Sequence, residues 1–393
     1  MAKLLLTVDD YIYSFGNRLY AASQDKMSFY QRYLRVFESV RLVARCEEKL
    51  ALNHKWVPFS EDSRIEIVSV PFFRGPKAYA LNYFKVGKAL KNVAAGCDAA
   101  ILRIPSTVAF RTAEAVLKAK IPYAVEIVFD AVDAYRNEAN LVHKFLWWKI
   151  DRDMRKLSNN ANGVSCVTEL YMQQHYYSLQ ANAFTANYSS LSIGASFYTA
   201  PRQKIGHRPI VIGHIANQVE YKGRKGQYEL IHVVKQLVGK GEDVCVQFVG
   251  EDTHNGFCLL RELSERLKIA DRVIFKGYLS REELADYLNN VDIFIFPTSA
   301  EGLPRVLIEA MAKGLPCMAT NISGNAELLD PEWLFNKRND VSKMTDLTMR
   351  LIQNESLYKM VSERNFRHSL RYEASVLQDR RDNFYMQLKR LIK

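Results

Sequence analysis

Residues 292–330 read DIFIFPTSAEGLPRVLIEAMAKGLPCMATNISGNAELLD. The run Ile293–Phe296 is wholly apolar, as in a strand buried on both faces of a parallel sheet. Pro297, Thr298 and Ser299 break it, Gly302 and Pro304 punctuate a turn, and helix formers run from Val306 to Ala312. Glu309 lies inside that run, with Val306, Leu307 and Ile308 before it and Ala310, Met311 and Ala312 after it. A carboxylate in such company is expected to be partly buried and in need of donors. Glu301 stands just ahead of the helix. A plainer reading makes both ordinary helix charges, Glu301 favouring the N-terminus through the helix dipole and Glu309 facing water. The strand, turn and apolar helix around them favour a site.

Outward from this stretch, short apolar strands alternate with amphipathic segments, the pattern of doubly wound parallel α/β sheets. In the first half, strands are expected at 3–8, 40–45, 65–70, 99–103, 123–128 and 163–167, and helices at 28–37, 78–94, 106–118 and 138–157. Ser106 or Thr107 would cap the third helix. Periodicity fades after Phe184 through a stretch rich in Ser, Gly and Pro, which marks a domain boundary. Strands then recur at 210–215, 244–249, 272–275, 293–296, 317–319 and 333–335, and helices at 226–238, 257–267, 281–289, 306–313, 341–353 and 356–367. The segment 369–393 reads as a further helix. This gives domains at 1–200 and 205–368.

At 393 residues, with 48% hydrophobic and 25% charged residues, two ordinary globular domains are expected. There is no run of 18 apolar residues, and Asp9 and Asp10 interrupt the first apolar segment before it reads as a signal core. The six cysteines lack C-x-x-C spacing and read as reduced core residues of a cytosolic protein. A net charge of +11 points to an anionic partner: nucleic acid, an anionic membrane or a negatively charged substrate. Nucleic acid has no supporting motif.

In open parallel sheets, ligands sit beyond the carboxyl ends of strands, at helix N-termini and glycine turns. Three such places fall in register in the second half. Lys222, Arg224 and Lys225 gather around Gly223 after the strand at 210–215, Gly250 follows the strand at 244–249, and the turn from Ser299 to Arg305 follows Ile293–Phe296. Taken singly, a KGRKG run is an ordinary solvated loop. Taken together, these places describe a site for a phosphate or diphosphate.

The chain resembles the GT-B glycosyltransferases of family 4, retaining enzymes that use nucleotide-activated sugars. The resemblance rests most specifically on Glu301 to Glu309, which matches the E-x7-E motif within EGLPRVLIEAMAKGLP. It extends to YKG at 221–223, VGE at 249–251, FKGYLSREELADYL from Phe275 and SGNAELL from Ser323, and more faintly to IPYAVEIVFDAVDAYR and VSCVTE in the first half. It implies two Rossmann-like domains facing a central cleft, the first completed by the last helix, at about 369–393. It also implies that Glu309 binds the ribose hydroxyls and Glu301 the donor sugar, with Gly302, Leu303, Pro304 and Arg305 shaping the turn beside sugar and phosphates. Lys222 would neutralise the diphosphate, with Gly250 nearby, and 273–277, ending at Gly277, would border the base. No metal or other cofactor is implied, because the nucleotide sugar, most simply a UDP-sugar, is itself the substrate.

Two departures stand out. Where many relatives carry an arginine ahead of the lysine, this chain has Asn217, so either Arg224 substitutes from the other side of the loop or Lys222 carries more of the charge alone. Where many carry a histidine after the fifth strand, it reads EIVFDAVD, with Glu126, Asp130 and Asp133 as polar candidates; Asp130 is taken as the catalytic one, with helix capping as the alternative. The expected acceptor is a glycan or lipid-linked glycan of surface polysaccharide synthesis. The helix at 138–157 mixes Trp147 and Trp148 with Lys144, Lys149, Arg152, Arg155 and Lys156, which suits either an anionic membrane face or core packing. The expected location is therefore the cytoplasm, with possible contact at the inner membrane face. The rival readings are an epimerase-like or phosphorylase-like enzyme of the same fold, or a sugar-nucleotide-binding scaffold without turnover.

Overall fold

A computed structural model describes residues 2–132, 140–191 and 193–392. The described residues form two compact units. The first comprises those within Met1–Tyr135, Asn140–Tyr188 and Gln378–Lys393, the second those within Ser189–Leu377.

In chain order the first unit contains β1 (Lys3–Phe15), β2 (Arg18–Ala21), α1 (Gln24–Gln31), β3 (Ser39–Glu48), β4 (Val57–Pro58), β5 (Ile65–Pro71), α2 (Gly75–Leu90), β6 (Ala99–Ile104), α3 (Thr107–Ala119), β7 (Tyr123–Ile127), α4 (Leu141–Asn159), β8 (Gly163–Cys166) and β9 (Phe184–Asn187). Its parallel strands run in the order β5-β3-β1-β6-β7-β8-β9. Side chains alternate between the two faces of each strand. One face packs Leu102, Ile104, Val125 and Ile127 against Val86 and Leu90 of α2, Val108 and Val116 of α3, and Met154 and Leu157 of α4. Ser106 caps α3, its hydroxyl accepting from Ala109 N at 3.4 Å.

The opposite face buries a charge. Glu126 of β7 accepts hydrogen bonds from the hydroxyls of Tyr33 (2.9 Å), Tyr188 (2.9 Å) and Tyr385 (2.7 Å), and it pairs with Arg103. Burial alone would raise its pKa, yet Arg103 and the three phenols hold it below the usual carboxylate range. Tyr385 belongs to the last helix, so this network ties residues 378–392 into the first unit.

The second unit contains β10 (Ile210–Val219), α5 (Gln227–Gly239), β11 (Val244–Asp252), α6 (Gly256–Arg266), β12 (Val273–Gly277), α7 (Arg281–Asn289), β13 (Ile293–Phe296), α8 (Arg305–Ala312), β14 (Cys317–Thr320), α9 (Asn325–Leu328), β15 (Leu334–Phe335), α10 (Val341–Gln353) and α11 (Glu355–Ser369), and α12 (Ala374–Lys389) leads back to the first unit. Its six parallel strands run β12-β11-β10-β13-β14-β15. α7 opens with a capping box in which Ser280 and Glu283 satisfy each other's backbone N–H groups.

Three expectations need correction. β1 runs on to Phe15 instead of stopping near residue 8, because a bulge absorbs Val8, Asp9 and Asp10 opposite Ala44 and the strand then pairs with β2. β10 continues to Val219, so Asn217 lies on a strand. Cys46 is only partly buried and Cys258 is exposed, so two of the six unpaired cysteines are not core residues. The start of the helix expected at 138 lies outside the described residues. Among the described residues, no helix is long and apolar enough to cross a membrane.

Candidate active site

In the second sheet the chain builds β10, β11 and β12 in one direction, then returns to place β13 on the other side of β10. The loops leaving β10 and β13 therefore diverge at the carboxyl end of the sheet, and the crevice between them is where doubly wound sheets bind ligands. Residues 220–226 and 297–304 occupy it.

These two loops are joined. Ser299 N donates to Arg224 O at 3.0 Å, and the Lys225 ammonium is ion-paired with Glu301 Oε1, which also accepts from Thr298 Oγ1 at 3.2 Å. Gly226, at φ +81°, caps α5 while lying against Pro297; a Cβ there would meet Pro297 O at 2.4 Å. Arg338 braces the first loop from outside, its guanidinium donating to Gly223 O at 2.5 Å and pairing at 3.2 Å with the buried Glu229 on the first turn of α5. The second loop is pinned at Gly302, whose carbonyl accepts from Gly324 N at 2.9 Å and Ser323 Oγ at 3.1 Å.

α8 starts directly after this turn, with Leu303 and Pro304 buried, Arg305 exposed and Glu309 on its second turn. The Glu309 carboxylate is half-buried and has no hydrogen-bonding or ionic partner among the described residues. Burial raises its pKa, an effect that Arg305 and then Arg281 partly offset. Beneath the site, His214 is fully buried with Nδ1 3.1 Å from Ile295 O, and burial pushes its pKa down to about 4, so it is neutral at ordinary pH.

The structure thus brings Glu301, Gly302, Leu303, Pro304, Arg305 and Glu309 together with the backbone of Arg224. Gly250 is drawn in as well, a Cβ there meeting Ala216 O of β10 at 2.3 Å. The Asn217 side chain is exposed at the end of β10, and Gly277 ends β12, two strands away from β10. Lys222 lies on the first of these loops but outside the ion pair: it is exposed, at φ +55°, with its ammonium 5.1 Å from the ring centre of Tyr228. The lysine facing Glu301 is Lys225. Its signal in the sequence is the Lys-Gly pair immediately ahead of a helix.

In the first unit Asp130 has the geometry of a cap. It is fully buried, and its Oδ1 accepts from Val132 N at 2.8 Å and from the Tyr176 hydroxyl at 3.2 Å. This is the geometry of the capping alternative, and the other carboxylate oxygen lies 3.6 Å from His175 Nδ1. Glu126 is equally enclosed, and Asp133 lies outside the described residues. The switch point of the first sheet lies between β1 and β6, and the acid there is Asp9, in the β1 bulge. Its carboxylate accepts from Ser106 Oγ at 3.1 Å and pairs with Arg45 at 2.9 Å.

Residues 202–368 match the family described as Glycosyl transferases group 1. That match lies within the second unit and spans most of it. Over a longer span, Protein CapJ of Staphylococcus aureus is 26% identical across 366 residues, 92% of this chain and 90% of CapJ. The capsular polysaccharide biosynthesis glycosyltransferase CapM, also of S. aureus, is 30% identical over 156 residues, 38% of this chain and 39% of CapM. Anabaena HepE in complex with UDP has the same fold, with a TM-score of 0.66 at 16% identity, covering 98% of this chain and all of that one. The two parallel-sheet units have the GT-B fold, and the site just described lies wholly within the residues that match group 1.

Proposed function

We propose that this protein transfers a sugar, with retention of configuration, from a nucleoside diphosphate sugar to a glycan or lipid-linked glycan of a surface polysaccharide. The observation that carries the reading is Glu309: a half-buried carboxylate without a protein partner, at the switch point and one turn into a helix, and so free to accept from the two ribose hydroxyls. Lys225 neutralises the diphosphate in place of Lys222, and Arg305 at the helix start and Arg224 on the adjoining loop add charge. Glu301 exchanges its bond to Lys225 for hydroxyls of the sugar. Gly302, Leu303 and Pro304 form the turn against which sugar and phosphates rest, and β12 up to Gly277 borders the base. UDP is the favoured nucleotide, since the HepE structure of the same fold is a UDP complex; the polysaccharide acceptor follows the printed role of CapM.

In the reaction, the bond from the anomeric carbon to the phosphate oxygen breaks while a bond to the acceptor oxygen forms on the same face. The acceptor's proton passes to the departing phosphate oxygen, and the nucleoside diphosphate leaves with both bonding electrons. This needs neither a side-chain base nor a metal, and stabilisation of the developing phosphate charge is the protein's main contribution. On the acceptor side, the exposed Asp9 at the first switch point is the polar group placed to bind a hydroxyl.

Incubation with UDP-, GDP- and ADP-sugars and polyprenyl-diphosphate-linked sugars tests the reading. Transfer of sugar with an unchanged anomeric configuration supports it. Tight binding of a nucleoside diphosphate without turnover of any donor would instead make the protein a sugar-nucleotide-binding scaffold.

A further inference from the structure

The helices covering one face of the first sheet repeat a pattern on their outer sides. On α2, Lys77, Leu81, Phe84 and Lys88 fall at spacings of four, three and four residues, which is one stripe of a helix. On α4, Leu141, Phe145, Trp148 and Arg152 have the same spacing. Both stripes point away from the sheet, because Val86 and Leu90 on α2 and Met154 and Leu157 on α4 point into one shared core. The stripes are bare: Leu81 is 86% exposed, Phe84 87%, Phe145 60% and Trp148 45%. The Phe145 and Trp148 rings stack at 5.6 Å, and the Arg152 guanidinium lies 5.6 Å from the indole centre.

The charge around them is mostly positive, with the partly exposed Asp153 of α4 paired to Arg152 at 3.1 Å. α2 carries Lys77, Lys85 and Lys88 and no acidic residue, and exposed Lys144, Lys149 and Arg152 flank the α4 stripe. On α3, also on this face, the acidic Glu114 is held by Arg111 at 2.9 Å. Water is a poor partner for apolar stripes of this size, and a protein partner that covered them would have to bring acids to match the lysines. An anionic bilayer surface satisfies both at once: the leucines and aromatic rings enter the headgroup–acyl boundary while the lysine and arginine heads meet lipid phosphates.

We propose that the outer faces of α2 and α4 form a docking surface for an anionic lipid bilayer, on which the protein lies without any segment crossing. The inference goes beyond the nucleotide-sugar reading and does not depend on it, since no residue of the second unit takes part.

The test is flotation of the whole chain with vesicles of phosphatidylglycerol mixed with phosphatidylcholine, against vesicles of phosphatidylcholine alone. The protein is expected to float with the anionic vesicles and to be released by salt. Phe84→Ser combined with Trp148→Ser is expected to weaken flotation roughly tenfold, and Lys77→Glu or Lys149→Glu at least about fivefold each. Because all four side chains are solvent-facing, the thermal midpoint and any nucleotide-induced shift should stay at wild-type values, which separates lost docking from lost folding and from failure of the donor-site reading. No flotation of the wild type at low salt, or equal flotation of wild type and variants, overturns the proposal. So does a dimer in solution that Phe84→Ser dissociates, since the stripes would then cover a second copy of the chain.

Discussion

Lys225 and Glu301 are ion-paired across the two loops that leave neighbouring strands β10 and β13. In the absence of a donor each neutralises the other, so neither charge is stranded at the partly closed end of the sheet. A diphosphate sugar offers each a better partner, phosphate for the ammonium and hydroxyls for the carboxylate. Lys225→Ala is therefore expected to lower kcat/KM for the donor by about 100-fold or more, the scale of losing one donor to developing charge. Lys222→Ala, at an exposed side chain that does not pair with Glu301, should change it by less than about threefold. The two variants, assayed side by side, decide which lysine of KGRKG serves the diphosphate.

Arg338 holds the loop that carries Lys225 through Gly223 O and Glu229. Arg338→Ala removes both contacts and leaves Glu229 buried beside an unrestrained loop. Donor KM is expected to rise about five- to tenfold, equivalent to losing one charge-assisted hydrogen bond, with kcat less affected. Arg338→Lys, which can make one of the two contacts, should recover part of the loss. Equal effects of both variants on KM and kcat would speak against a positioning role.

Glu309 carries a cost to stability that function explains. Its pKa is raised in the folded state by burial, so its contribution to stability is greatest at acid pH and is lost as pH rises through its folded pKa. Glu309→Gln should therefore raise the thermal midpoint at neutral pH, by on the order of 1–3 °C, and the gain should vanish at acid pH. The same variant should bind donor more weakly. A midpoint that falls at neutral pH would show that the carboxylate has an internal partner after all.

The buried Glu126 behaves in the opposite sense. Its folded pKa is lowered, so it stabilises the fold above the unfolded carboxylate range, and that contribution is lost as pH falls through the folded value. Glu126→Ala would leave Arg103 buried without its counter-charge, at a cost of about 3–5 kcal/mol. Tyr385→Phe removes one hydrogen bond of this network and should cost about 1–2 kcal/mol. Since Tyr385 lies on the returning helix, proteolysis near residues 374–377 in this variant is expected to quicken; unchanged denaturation and proteolysis would show that the helix is held by packing alone.

Much of this was readable in the residues. Apolar runs such as Ile293–Phe296 have no alternative to burial, and the strand there has those exact ends. β2 and β4 were missed because they are short, antiparallel and carry no apolar alternation. Their existence follows from β1 running past its apolar segment, a tertiary choice that Asp9 and Asp10 argue against locally. The site was legible as loops that meet at the strand ends, but the pairing of Lys225 with Glu301 was not. Sequence order lists Lys222, Arg224 and Lys225 as equals, and only the approach of Gly226 to Pro297 selects the lysine that reaches Glu301. Asp130 and Asp9 show the same limit: the first sits in a loop that looks catalytic but is sealed, the second in a strand that looks ordinary but bulges at the switch point.

The most direct test is calorimetric titration of UDP, GDP and ADP into the wild-type protein and Glu309→Ala. The wild type is predicted to bind one of the three, and Glu309→Ala to bind it about 100-fold more weakly, the worth of two charge-assisted hydrogen bonds to the ribose. Equal affinity in the two proteins, or no binding of any of the three to the wild type, would contradict the assignment of this site to a nucleoside diphosphate sugar.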